Sequence, residues 1–165
     1  MKLYLAGPDV FRPDALVWAE ESRALCAAHG HVALIPLDGV ETSAPGIYRA
    51  NIELIRAADT VLANLEPFRG CEPDSGTCVE VGFALALGKP VIGYLRNQET
   101  VVERVARIEG RVPENRAKIP VDRNGLHVED FGLPLNLMLA VPASIVIGGL
   151  AEALLALVGQ DFGQK

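Results

Sequence analysis

The chain has 165 residues, half of them hydrophobic, and carries a formal net charge of −6. This length predicts a single domain over residues 1–165 with a sizeable core. No basic run or Lys/Arg stripe is present, which argues against a nucleic-acid surface and favours neutral or weakly charged small molecules as ligands. The N-terminus is Met-Lys followed by a short apolar segment, which fits neither a signal peptide nor a membrane span, so no membrane contact is expected.

Short apolar segments alternate along the chain with longer helical patterns. Strands are predicted at residues 2–6, 32–37, 60–65, 90–95 and 144–147. Helices are predicted at residues 14–29, 47–58, 76–87, 133–141 and 150–158. The polar stretch 96–130 is less regular, with a turn at Asn124-Gly125, and is expected to be either a lid or a surface insertion.

Five strands that alternate with helices predict an α/β fold, in which a parallel sheet is covered by helices on both faces. We expect a flavodoxin-like, Rossmann-like strand order of 2-1-3-4-5. Such sheets bind ligands beyond the carboxyl ends of the strands, where the strand order reverses. This rule places residues 7–11, after the first strand, beside residues 66–80, after the third strand.

The sequence lacks the common signals of a metal or a cofactor. Its three cysteines form no CxxC pair, and His29 and His31 only flank a glycine at a predicted helix end. The cysteines are Cys26, Cys71 and Cys78. Gly7-Pro8-Asp9 does not fit GxGxxG, and nothing fits GxxxxGK[ST], so neither a dinucleotide nor a triphosphate cradle is predicted. We expect no cofactor, no metal, and reduced cysteines that pack in the core of a cytoplasmic protein.

The most informative segment runs from Asp74 to Pro90, where two carboxylates six residues apart precede and enter an apolar helix. An ionised Glu80 in such a helix is costly unless it is paired, so it needs an explanation. One reading is structural: Thr77 and Glu80 fit a capping box, with Asp74 in the loop before it. The other reading is catalytic, because the pair lies where this fold binds ligands.

Other polar residues also allow either a structural or a functional interpretation. Tyr4, inside the first strand, is either a core residue or a phenol that holds a carboxylate. Asn51, early in the second helix, is either solvated or directed into the crevice. Asn136 interrupts a run of leucines, where it either caps its own helix or bonds across a subunit contact. Met138 is by default a core residue.

Several motifs together resemble nucleoside 2-deoxyribosyltransferases, in chain order from about residue 2 to residue 140. They are Tyr4-Leu-Ala-Gly-Pro, Asn51 with Asp59, Pro67-Phe-Arg-Gly, Glu72-Pro-Asp-Ser-Gly-Thr-Cys-Val-Glu-Val-Gly and Gly132-Leu-Pro-Leu-Asn-Leu-Met. A Gly-Thr-x-x-Glu turn also occurs in cytokinin-activating phosphoribohydrolases, which cleave N-glycosidic bonds as well. The combination is more specific than any one motif.

The resemblance implies a role for each matching position. It implies that Glu80 is the nucleophile that attacks C1′ of deoxyribose, that Tyr4 orients it, and that Asp74 is the acid facing the nucleobase. It further implies that Asn136 and Met138 enter the site of a neighbouring subunit, so that the active form is a homo-oligomer built on a dimer. The expected substrate-binding residues are Gly7, Phe11, Asn51, Gly76, Asn136 and Met138.

One position departs from the best-known bacterial pattern, because Asn51 stands where those enzymes have a second base-binding Asp. A branch similar to the trypanosomatid enzymes also has Asn there. Because Asn cannot donate a carboxyl proton, Asp74 is the expected proton source.

The sequence therefore predicts transfer of 2-deoxyribose between nucleobases through a deoxyribosyl ester of Glu80, with hydrolysis as a side reaction. Two rivals stay open. The first is hydrolysis of 2′-deoxynucleoside 5′-monophosphates, which Arg12, Arg69 and Ser75 would have to support. The second is a nucleotide-binding module without catalysis.

Overall fold

The computed structural model describes residues 1–110 and 118–159. Its sheet has five parallel strands in the order β2-β1-β3-β4-β5, which confirms the predicted topology. The strands are β1 (Lys2–Ala6), β2 (Val32–Leu34), β3 (Thr60–Asn64), β4 (Val91–Leu95) and β5 (Ser144–Ile147). The helices are α1 (Ala15–Ala28), α2 (Ala44–Ala57), α3 (Ser75–Ala86), α4 (Val101–Glu109), α5 (Leu137–Ala140) and α6 (Leu150–Gly159).

Helices cover both faces of the sheet, as predicted, because successive strand residues alternate between the two faces. In β1, Leu3 and Leu5 belong to the core that α1 and α6 cover, whereas Tyr4 and Ala6 belong to the core that α2, α3 and α5 cover. This alternation directs the phenol of Tyr4 toward α3, where the acidic segment lies.

The stretch 96–130 is more regular than the sequence analysis predicted. It contains α4, which begins with a capping box: Glu103 N–H donates to Thr100 Oγ1 at 3.2 Å, and Thr100 N–H donates to Glu103 Oε2 at 2.8 Å. A Thr-x-x-Glu pattern in the sequence was available to predict this helix. The Asn124-Gly125 turn is confirmed, with Gly125 at φ 82°. Residues 111–117 of this stretch lie outside the described residues.

The helix predicted at residues 133–141 is wrong in extent, because α5 covers only Leu137–Ala140. Asn136 is its N-cap, with Oδ1 accepting from Met138 N–H at 3.0 Å, so the capping alternative for this residue is correct. The preceding Leu133–Leu135 segment is not helical, and its backbone bonds to α4: Val101 N–H donates to Leu133 O at 3.0 Å. Met138 is not a core residue, because it is 72% exposed.

The cysteines are free. Cys26 is fully buried in the core, and Cys78 is half-buried and packs against the core, as predicted. Cys71 is half-buried and belongs to neither core, which corrects the prediction for that residue. Within residues 1–110 and 118–159, no helix has the length and apolar character that crossing a membrane requires.

Candidate active site

The carboxylate of Glu80 lies under the carboxyl end of the sheet and is held by two side chains. Tyr4 Oη donates to Glu80 Oε1 at 2.6 Å, and Asn51 Nδ2 lies 3.5 Å from the same oxygen. Tyr4 is fully buried, and Glu80 is half-buried. The three residues come from β1, α2 and α3, so the fold brings together positions that are far apart in the sequence.

The structural reading of Glu80 as half of a capping box is wrong. The N-cap of α3 is Asp74, whose Oδ2 accepts from Thr77 N–H at 3.0 Å and from Thr77 Oγ1 at 3.2 Å. Because Asp is a stronger N-cap than Thr, the helix begins before Thr77, and Glu80 lies too far inside it to reach the free N–H groups. Asp74 is therefore the capping residue of α3, whereas the capping-box interpretation had placed it in the loop before the helix.

The surroundings raise the pKa of Glu80 to about 7. Burial is the main cause, and the nearby charge of Asp74 adds to it, whereas the hydrogen bonds from Tyr4 and Asn51 lower the pKa. Burial also raises the pKa of Tyr4, with Glu80 as a second cause, so the phenol stays a hydrogen-bond donor. Near neutral pH, Glu80 can thus exist in either protonation state.

A pocket of about 400 Å³ opens above Glu80. It is lined by most of the residues predicted from the sequence, namely Gly7, Phe11, Asn51, Asp74, Gly76 and Glu80. Tyr4 lies behind Glu80 and is not part of the lining. The volume is suited to a small organic molecule.

Asn51 presents an unused acceptor at this pocket. While its Nδ2 approaches Glu80, its Oδ1 is buried and has no hydrogen-bond partner among the described residues. A buried acceptor without a partner costs free energy.

The loop after β1 forms one wall of the pocket. Gly7 is needed for close approach, because a Cβ there would lie 2.7 Å from Cβ of Asn64. Asn64 Nδ2 in turn donates to Asp9 Oδ2 at 2.7 Å, which anchors the loop. Phe11 is 56% exposed and stacks on Phe68 with ring centroids 5.4 Å apart.

Asn136 and Met138 do not join this pocket. Asn136 lines a separate cavity, where its Nδ2 donates to Glu129 Oε1 at 2.9 Å, and Leu137 N–H donates to Glu129 Oε2 at 3.1 Å. Glu129 thus fixes the amide and the first turn of α5. Within one chain, Asn136 is half-buried and Met138 is exposed, and neither lines the pocket that contains Glu80.

The part of the pocket that follows β2 was not predicted from the sequence. Pro36, Leu37, Gly39 and Glu41 line it, together with Ile47 at the start of α2. The rule that ligands bind at the carboxyl ends of parallel strands would have included this loop, because β2 ends at the same edge as β1 and β3.

The part of the chain that the structure describes contains no cluster of His, Cys, Asp or Glu with the arrangement of a metal site. The pocket is lined by three carboxylates, those of Glu41, Asp74 and Glu80, and by no Lys or Arg among the described residues. What the arrangement offers chemically is a buried, oriented carboxylate with a second carboxyl group in the same pocket, a combination typical of enzymes that cleave glycosidic bonds.

The fold and the site define a flavodoxin-like α/β protein with a carboxylate-lined ligand pocket at the edge of the sheet where the strand order reverses. The family profile described as nucleoside 2-deoxyribosyltransferase matches residues 3–138. The chain belongs to this family.

The chain is also similar to two individual proteins. The chain is similar in structure to a 2-desoxiribosyltransferase from Leishmania mexicana, with a TM-score of 0.79 and 35% identity, covering 98% of this chain and 99% of that one. This match confirms the resemblance to the trypanosomatid branch. The chain is also 31% identical over 155 residues to an uncharacterized protein from Schizosaccharomyces pombe, covering 82% of this chain and 74% of the relative.

Proposed function

We propose that this protein transfers 2-deoxyribose between nucleobases by way of a covalent deoxyribosyl ester of Glu80. One observation carries the proposal: the half-buried carboxylate of Glu80, which accepts a hydrogen bond from the Tyr4 hydroxyl at 2.6 Å, shares a pocket with the carboxylate of Asp74. Membership of the family and the named activity of the Leishmania mexicana protein support it further.

The proposed reaction has two displacements. In the proposed reactive form, the one proton shared by the Glu80–Asp74 pair lies on Asp74, and Glu80 is ionised. Glu80 Oε attacks C1′ of a 2′-deoxynucleoside, the C1′–N bond breaks, and the leaving base keeps the bonding electron pair and takes that proton from Asp74. A second base then attacks C1′, gives its proton to Asp74, and releases the Glu80 carboxylate. Two inversions give net retention, and water in place of the second base gives hydrolysis.

Among the substrate contacts, the unused Oδ1 of Asn51 is proposed to accept a hydrogen bond from the substrate. Phe11 is proposed to present its ring to the base, since half of it is exposed beside the pocket. Gly7 and Gly76 let the backbone approach the ligand closely.

The rival reading, hydrolysis of 5′-monophosphates, is not favoured by the surroundings of the arginines. Arg12 pairs with Asp14 at 2.9 Å and lies 3.8 Å from Asp9, and the guanidinium of Arg69 lies over the Phe68 ring at 4.6 Å. Neither arginine lines the pocket. A module that only binds nucleotides would not need Glu80, whose burial in the pocket raises its pKa and therefore disfavours the charged carboxylate.

The function is tested by incubating deoxyinosine with adenine and separating the products by chromatography. We expect deoxyadenosine and hypoxanthine, with a smaller amount of free deoxyribose. Hypoxanthine without deoxyadenosine, for a range of purine and pyrimidine acceptors, would replace transfer by hydrolysis. If no base is released from any deoxynucleoside, the proposal is contradicted.

We propose that the active form is a homodimer or a multiple of one, in which Asn136 and Met138 of one subunit complete the pocket of the other. Support comes from exposed apolar residues near this segment: Met138 and Val141 are each 72% exposed, and Val79 on α3 is 61% exposed.

A mixture of inactive Glu80→Gln and Asn136→Ala subunits, exchanged through mild denaturant, tests this shared site. About half of the resulting dimers are mixed, and each mixed dimer has one intact site of two, so we expect the mixture to regain about a quarter of the wild-type activity. Activity that stays at the level of the separate variants, measured by base exchange, would contradict a shared site.

Replacing Tyr4 by Phe is expected to move the acidic limb of the pH–rate profile upward. The Tyr4 hydrogen bond lowers the pKa of Glu80, so its loss raises that pKa above about 7, and less of the nucleophile is ionised at pH 6–7. A hydrogen bond to a charged group is worth roughly 1.5–3 kcal/mol, which corresponds to a shift of about 1–2 pH units in kcat/KM. Tyr94→Phe, which alters a buried tyrosine of the opposite core, is the control and leaves the limb in place. An unmoved limb in Tyr4→Phe would show that the phenol does not act on the nucleophile.

A further inference from the structure

The ring of Phe11 at the edge of the pocket is held by residues that do not line the pocket. Phe11 is the one aromatic side chain among the described lining residues, and it belongs to neither hydrophobic core. The base of its loop is anchored by the hydrogen bond between Asn64 and Asp9, two residues before Phe11. The ring itself packs on Phe68, with the two ring planes 17° apart.

Arg69 adds a cation to this stack. Its guanidinium carbon lies 4.6 Å from the centroid of the Phe68 ring and 5.4 Å from the centroid of the Phe11 ring. A cation near aromatic rings is attracted by their electron-rich faces. Arg69 therefore stabilises the arrangement in which the two rings are stacked.

Arg69 also adopts a backbone conformation that a residue with a Cβ rarely takes. Its φ is 56°, in the left-handed region that favours glycine, yet the glycine of this turn is the next residue, Gly70. The turn is closed by a hydrogen bond from Phe68 N–H to Glu72 O at 2.9 Å. Backbone preference alone would place Gly at position 69, so the presence of Arg needs another reason. Its contact with the two rings supplies one.

The stack joins two segments that begin at neighbouring strands. Phe11 follows β1 and Phe68 follows β3, and the loop of Phe68 continues to Asp74, the N-cap of α3. A nucleobase is flat and aromatic, and Phe11 offers it the one aromatic face among the described lining residues. The orientation of that face depends on the ring and the cation behind it.

We propose that Phe68 and Arg69 are positioning residues, which hold the Phe11 ring in the orientation that binds the nucleobase of the substrate. Neither of them lines the pocket, so both act through Phe11. The inference rests on the proposed function, in which Phe11 presents its ring to the base.

The test is the KM for deoxyinosine in base release, measured beside kcat and thermal unfolding for each variant. Phe11→Leu should raise KM about tenfold, which is equivalent to about 1.4 kcal/mol. Phe68→Leu removes the supporting ring and should raise KM about fivefold, with kcat changed less than about twofold, because the lost binding is equal in the ground state and the transition state. Phe68→Tyr keeps the ring and should retain the KM of the wild type.

A double variant shows whether Phe68 acts through Phe11. If it does, adding Phe68→Leu to Phe11→Leu should raise KM no further, because the two residues work as a unit. An effect of Phe68 that is direct, or that comes from a general loss of structure, would multiply the two increases instead. That result would overturn the inference.

Arg69→Gly separates the guanidinium from the backbone. Glycine fits a φ of 56°, so the turn should be retained, and loss of the cation should still raise KM about threefold. Arg56→Ala is the matched control, because it removes a guanidinium that lies 5.2 Å from the ring centroid of Phe83, a pair that does not line the pocket. It should leave KM unchanged.

The outcomes distinguish the inference from the proposed function. An unchanged KM in Phe68→Leu or in Arg69→Gly overturns the role of that residue and leaves base exchange standing. A wild type that releases base but transfers no deoxyribose contradicts the proposed transfer, and the KM values still decide the role of both residues. A wild type that releases no base from any deoxynucleoside overturns the proposed function, and the inference with it.

Discussion

Replacing Glu80 by Gln is expected to abolish base exchange and, at the same time, to stabilise the folded protein at alkaline pH. Loss of the nucleophile should lower kcat by at least about 10³-fold, since binding and the remaining acid cannot form the ester. The effect on stability follows from the pKa of Glu80, which rises from an ordinary value of 4.5 to about 7 in the folded state.

The direction of the stability effect follows from proton binding. Between pH 4.5 and 7, the folded wild type holds a proton on Glu80 that the unfolded chain releases, so its stability falls as the pH rises through this window. The glutamine side chain in Glu80→Gln does not titrate, so the stability of the variant does not fall for this reason as the pH rises. It should therefore be more stable than the wild type at pH 8, by about 1–3 kcal/mol, and the difference should disappear near pH 4.5.

Chemical denaturation of both proteins at pH 4.5 and pH 8 measures the difference. A variant that is less stable than the wild type at pH 8 would show that ionised Glu80 stabilises the fold, and the catalytic interpretation of its burial would lose its basis. Stability gained by removing a catalytic charge is a common sign of a site that is kept for activity.

The second large effect is expected at Asp74, which the structure gives two separable tasks. Asp74→Asn keeps an N-cap of equal strength but removes the carboxyl group, so kcat should fall about 10²–10⁴-fold with little loss of stability. Asp74→Ala removes the N-cap as well as the carboxyl group, so it should lose the same activity and also about 0.5–2 kcal/mol of stability.

A third measurement on Asp74→Asn follows from its charge. The charge of Asp74 raises the pKa of Glu80, so its removal should lower that pKa and move the acidic limb of any residual activity below pH 7, opposite to the shift predicted for Tyr4→Phe. If Asp74→Asn retains the activity of the wild type, Asp74 is a helix cap only and the proton comes from elsewhere.

The sheet could be predicted from sequence because its signals are strong and local. Short apolar strands alternate with helices, and right-handed crossovers limit the topology, so the order 2-1-3-4-5 could be predicted. The predicted element boundaries differ from the observed ones by a few residues. The second strand ends at Leu34 and not at residue 37, and α2 begins at Ala44, three residues before the predicted start at residue 47, because Ser43 caps it.

The errors occurred where two local signals competed or where a partner is distant in sequence. Thr77 and Glu80 match a capping box, but Asp74 is the stronger cap and frees Glu80 to meet Tyr4. Asn136 lies in an apolar run that predicts a long helix, yet its side chain starts a new turn and bonds Glu129. No spacing rule predicts that last contact.

The proposed mechanism is tested most directly by mass spectrometry of enzyme quenched with acid during turnover of a deoxynucleoside donor without an acceptor base. We expect a deoxyribosyl group on the peptide that contains Glu80, lost when adenine is added before the quench and absent from Glu80→Gln. A deoxyribosyl group on a different residue, or the same adduct in Glu80→Gln, would contradict the claim that Glu80 is the nucleophile.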